Sequence, residues 1–112
     1  MHLKKLEIVN CLNIAACVCG KDGVISNAEE KKMFQMLSDK FPEFLTVDFE
    51  SALDDFFDSE EQFEDYLSKI SDHDARVFTL KLSEASARED GLDIRENIAL
   101  QKAHQIWGIA FP

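Results

Sequence analysis

A chain of 112 residues, 46% hydrophobic and 30% charged, holds enough apolar material for one buried core and too little length for a comfortable second domain. Four Gly and two Pro are too few for the many turns of an all-β sandwich, and no apolar run approaches the roughly 18 residues of a membrane span. The net charge is −10, and ten of the 22 acids lie in 41–68, a stretch without Lys or Arg, which leaves 12 acids to balance 12 bases elsewhere.

That charge distribution argues against a nucleic-acid partner, because phosphate contacts need Lys and Arg. It argues against an anionic membrane surface for the same reason. A basic protein partner or a divalent cation would be attracted instead. The opening residues carry Lys4 and Lys5, but Glu7, Asn10 and Asn13 interrupt the apolar block, so no signal peptide is expected. Cys11, Cys17 and Cys19 are an odd number crowded into one stretch, which suggests reduced thiols in a cytoplasmic protein.

Apolar spacing predicts an all-α fold of about six helices. The first runs over about 4–20. Its polar residues Lys4, Glu7, Asn10 and Asn13 form one narrow stripe, and Leu6, Ile8, Val9, Leu12, Ile14, Ala15, Ala16 and Val18 cover the rest, as in a central helix. The second opens with Ser26 as N-cap and Glu29 three residues on, a capping box, and places Met33, Phe34, Leu37 and Phe41 on one face. Pro42 marks its end.

The acidic stretch also reads as helix. Phe49, Leu53, Phe56 and Phe57 form a stripe capped by Thr46 or Asp48, and Phe63, Leu67 and Ile70 form another, with Ser59 as its N-cap and Tyr66 at its edge. The fifth helix spans about 73–88 behind Asp72. The sixth follows Asp93 and Glu96, a second cap and N3 pair, with Ile94, Ile98, Ala99, Ala103, Ile106 and Trp107 expected to face the core and Gly108 to close it.

Two segments repeat one pattern. In each, an apolar helix ends in Asp-Gly (Asp22-Gly23 and Asp90-Gly91), a short spacer and a capping residue follow, and a glutamate comes three residues later. The chain therefore divides into a hairpin over 4–41, an acidic helical segment over 42–71 and a hairpin over 72–110, the two hairpins forming a pseudo-symmetric pair.

This arrangement resembles the TerB-like family, comprising the tellurite-resistance TerB proteins and the N-terminal domain of the co-chaperone DjlA. The residues that carry the resemblance are Asp22, Gly23, Ile25, Ser26 and Glu29, echoed over 90–96 with a spacer one residue shorter and with Asp93 as the cap. The resemblance covers nearly the whole chain. It implies a cytoplasmic helical module linked to stress response that acts by association rather than catalysis, with the loop acids as candidates for contact with a divalent cation.

Read from the residues alone, Asp22, Glu29, Asp90 and Glu96, with Asp93 nearby, would form a site for Ca²⁺ or Mg²⁺ if the hairpins bring the loops together. The alternative is that each Asp makes its own turn and each Glu closes its own cap. An EF-hand register with Gly23 at the sharp turn puts Val18 and Gly20 at ligand positions 1 and 3, where calcium needs side-chain oxygens. A degenerate EF-hand is the weaker alternative. The acids of 43–65, with Asp54, Asp55, Asp58, Glu61 and Asp65 foremost, are either a solvated face or a docking surface for a basic partner, as in a small inhibitor or immunity-type protein. The cysteines do not share a helix face, the histidines lack a partner at metal spacing, and no phosphate loop or nucleophile motif is present, so no enzyme is expected.

Overall fold

The computed structural model describes residues 2–20 and 24–110. It is all-α: α1 (Lys5–Cys19), α2 (Asn27–Lys40), α3 (Thr46–Asp58), the short α4 (Phe63–Leu67), α5 (His73–Ala87) and α6 (Ile94–Trp107), with a single 3-10 turn at Arg88–Asp90 before α6. No strand occurs among the described residues.

The first and fifth helices form the central pair, and one cluster of buried side chains runs through all six helices. Ile8, Cys11, Leu12, Ile14, Ala15, Ala16 and Val18 of α1 are almost wholly excluded from solvent. On α5 the matching surface is small and hydroxylic. Thr79 and Ser83 are buried, and each donates its hydroxyl to the carbonyl one turn back, at 2.7 Å, which satisfies the group without a partner on another helix. These small side chains let the helices approach closely. The Cys11 thiol lies against Thr79, and burial pushes it above the ordinary range. Aromatic pairs tie neighbouring segments together: Phe41 meets Phe78 edge-on at 5.6 Å, Phe34 meets Phe49 at 5.2 Å, and Phe56 meets Tyr66 at 5.9 Å.

Helix ends follow local chemistry. Ser26 and Glu29 cap α2 reciprocally, and Asp72 accepts from the Ala75 N–H at 2.9 Å to start α5. Gly108 takes a left-handed conformation, φ 67°, and ends α6. Gly20 ends α1 for a steric reason: a Cβ there would lie 2.5 Å from Cγ1 of Ile25, so the glycine lets the chain after the first loop pack onto α1.

Several expectations are corrected. Ser59 is not the N-cap of α4; its hydroxyl accepts from the Glu61 N–H in a turn, and the helix begins only at Phe63, where the Asp65 carboxylate takes the Gln62 N–H at 2.9 Å. Thr46 is the first helical residue of α3. Leu45 is the cap residue, and Asp48 reaches back to its N–H at 2.9 Å. Tyr66 is buried, not marginal. Phe57 is half-exposed, and Leu6 of α1 is mostly exposed.

The largest correction falls on α6. Ile94, Ile98 and Ile106 are exposed at 78, 54 and 51%, while Glu96, Ala99, Leu100, Ala103, His104 and Trp107 are the buried residues. The inward face is the one with small alanines, which admit the neighbouring backbones, and with Glu96, whose placement decides the cleft described next.

Candidate functional site

The start of α2 and the start of α6 meet beside the end of α1. A cleft of about 260 Å³ lies between them, lined by Cys19 at the end of α1, Val24, Ser26 and Glu29 at the start of α2, and Asp90, Gly91, Asp93, Arg95 and Glu96 around the start of α6. Each glutamate stands at N3 of its helix and uses Oε1 to close a capping box. Glu29 accepts from the Ser26 N–H at 3.0 Å, and Glu96 accepts from the Asp93 N–H at 3.2 Å. The reciprocal bonds, Glu29 N–H to Ser26 Oγ and Glu96 N–H to Asp93 Oδ1, are 3.1 and 2.8 Å.

Capping therefore fixes both carboxyl groups, and packing of the two helix starts brings them together. Glu29 is 3% exposed and Glu96 7%. Burial, a hydrogen bond with Glu29 and the nearby charge of Glu29 and Asp93 push Glu96 up to about 7. Glu96 is thus the carboxyl that keeps its proton toward neutral pH. The Cys19 thiol completes this buried group. Its burial, the charge of Glu29, Glu96 and Asp90, and its hydrogen bond with Glu29 all push it up, so it is a protonated donor and not a nucleophile. Cys17, half-buried, is pushed up to about 12 by burial and by Glu64. Cys11, Cys17 and Cys19 are all unpaired.

Of the proposed cation ligands, Glu29 and Glu96 are brought into contact, and Asp90 and Asp93 line the same cleft. Asp22 lies outside the described residues. Among the described residues no three His, Cys, Asp or Glu side chains are grouped so as to hold a metal ion. Arg95 lines the cleft and brings a positive charge to its rim. The cysteine of the cleft was not foreseen as a companion of the loops, although Cys19 stands three residues before Asp22 and so had to lie near the first turn.

The acidic segment separates into two groups. Asp48 pairs with Lys5 at 3.3 Å, Glu61 with Lys69, and Glu64 with Lys102. Asp48 is held below its ordinary range chiefly by the Leu45 N–H, and Glu64 by its bond from Lys102. Asp65 caps α4. These acids have structural partners. Glu43, Glu50, Asp54, Asp55, Asp58 and Glu60 are exposed and have no cation within ion-pair distance among the described residues. Three of them crowd the last turns of α3, which carries no basic residue in its last turn, so they face the negative end of the helix dipole. Val47 and Phe57, exposed at 68 and 50%, lie on the same helix.

No family model, no curated protein and no solved structure matches this chain. No helix among the described residues is long and apolar enough to cross a membrane.

Proposed function

We propose that this chain is a non-enzymatic, cytoplasmic, TerB-like interaction module linked to stress response, and that α3 is its docking face for a basic protein. One observation supports the reading above the others: Asp54, Asp55 and Asp58 stand exposed, with no ion-pair partner among the described residues, at the helix end where their charge is least favourable. Folding does not account for that arrangement, and a cationic partner would relieve it. Glu61 and Asp65 drop out of the docking set, because Lys69 and the Gln62 N–H already engage them.

An octalysine peptide provides the test. Replacing Asp54, Asp55 and Asp58 by Lys moves the net charge from −10 to about −4 and should weaken binding at least tenfold at low salt. The same reversal at the exposed Asp39, Asp74 and Glu89 gives an equal net charge and should cost far less. Equal losses in the two triple variants, measured by fluorescence anisotropy, would reduce the attraction to net charge and remove α3 as a specific face.

A second reading, a divalent-cation site at the cleft, is favoured by the contact between Glu29 and Glu96. A hard cation such as Ca²⁺ or Mg²⁺ would take the place of the Glu96 proton and relieve the carboxylate repulsion, with Asp90 and Asp93 turning in as further oxygen donors. A ligand at a hundred times its dissociation constant stabilises a fold by about 2.7 kcal/mol. Thermal unfolding with millimolar cation, compared with EDTA, should then rise by several degrees in the native chain and not in Asp90→Asn/Glu96→Gln. An unchanged midpoint in the native chain rejects the site.

A further inference from the structure

The starts of α2 and α3 leave a broad groove between them, about 860 Å³ in volume, away from the loop cleft. Its floor is aromatic: Phe34 and Phe49 pack at 5.2 Å with their rings tilted, and Phe34 remains half-exposed. Ala28 keeps the α2 wall low, and Glu30 and Glu50 stand on opposite sides with Lys31 beside Glu30. The groove's α3 wall ends at Glu50, and helical spacing puts the half-exposed Phe57 beyond it on the same side of the helix, about 16 Å from Thr46.

We propose that this groove seats a cationic amphipathic helix of a partner protein, its apolar side against Phe34, Phe49 and Phe57 and its Lys or Arg residues toward Glu30, Glu50 and Asp54. The inference rests on the reading of α3 as a docking face, and adds where the partner lies and what its chemistry is. Charge selects the occupant. The α3 wall belongs to a stretch, 41–68, with ten acids and no base, and Glu50 and Asp54 have no cation of their own among the described residues. A second copy of this chain brings −10 of its own and is repelled, as is an anionic lipid surface. The shape selects a helix. An apolar trough between two helices, with polar rims, is read by anchors at i, i+3, i+4 and i+7.

The test titrates the full chain, ¹⁵N-labelled, with a Leu/Lys peptide whose leucines fall on one helical face. A control peptide has the same composition with the leucines scattered around the helix. The amphipathic peptide should move the amides of 27–34 and 46–57 most. Glu30→Lys/Glu50→Lys should weaken it at least tenfold, and so should Phe34→Asn, whose unfolding midpoint is measured alongside to confirm a folded protein. Equal binding of the control peptide would overturn the groove while leaving α3 as a purely electrostatic face. Shifts centred elsewhere would overturn the groove as well. Absence of binding by both peptides at low salt would overturn the groove and the docking face together. If the free chain sediments as a dimer whose interface maps to 27–34 and 46–57, the occupant is a second copy and the proposal fails.

Discussion

Trp107→Ala is expected to lower stability by about 3–5 kcal/mol, a large share of the 5–15 kcal/mol that holds a typical domain together. Trp107 is buried in the last turn of α6, and its indole N–H donates to the Leu67 carbonyl at 3.2 Å. The Arg76 guanidinium of α5 lies over the ring at 5.2 Å from its centre, and its Nε donates to the Ile70 carbonyl at 2.7 Å. Two carbonyls at the exit of α4 are thus held by side chains of α5 and α6. A five-residue helix is too short to persist by itself, so these anchors fix the part of the acidic segment that follows α3. Trp107→Phe separates the two contributions. It keeps most of the buried area but removes the indole bond to the Leu67 carbonyl, which then has only the Ile70 N–H at 3.5 Å, and should cost about 1–2 kcal/mol. Urea unfolding followed by circular dichroism measures both variants, which is necessary because Trp107 is the only tryptophan. A Phe variant as stable as the native chain would show that packing alone secures α4.

What was legible in the sequence was what depends on near neighbours. The capping pairs Ser26 with Glu29 and Asp93 with Glu96 are fixed by a three-residue spacing, and both form as that spacing predicts. Gly108 could be placed because a helix commonly ends on a left-handed residue, and glycine takes that φ without strain. Ser59 failed under the same kind of rule. A serine before two glutamates is a good local start, but Asp65 competes by capping Gln62, and the helix that packs Tyr66 and Leu67 begins there.

The inward face of α6 could not be read locally, because the helix carries two apolar stripes. Ile94, Ile98 and Ile106 form the more hydrophobic one, yet Ala99, Leu100, Ala103 and Trp107 are buried. Small side chains win where two helix backbones, those of α1 and α5, must both come close. The same choice of face carries Glu96 inward to Glu29. The repeated Asp-Gly pattern suggested that the loops are relatives; their contact is a product of packing. Likewise the ten acids were visible as a block, but which of them have partners depended on where Lys5, Lys69 and Lys102 arrive in space.

The cleft makes a pH-dependent prediction with a definite sign. Glu96 releases its proton at about 7 in the folded chain, against an ordinary value of 4.5, chiefly because it is buried beside Glu29. Between those values the folded chain keeps a proton that the unfolded chain has lost. Stability from this group is therefore complete below about 4.5 and falls as pH rises through about 7. The loss is about 2 kcal/mol once water at the cleft mouth is allowed for. Glu96→Gln imitates the protonated form at every pH and still suits the N3 position of a capping box. It should match the native midpoint within about a degree near pH 5 and exceed it by roughly 5–8 °C near pH 8. The quantity to measure is this difference across the pH range, since the other acids affect both proteins alike. A difference that does not change with pH would mean that Glu96 holds no extra proton in the folded chain, and would withdraw the electrostatic reason for a cation to enter the cleft. A difference that grows with pH, and shrinks when Mg²⁺ or Ca²⁺ is added at pH 8, would mean that proton and cation compete for the same two carboxylates.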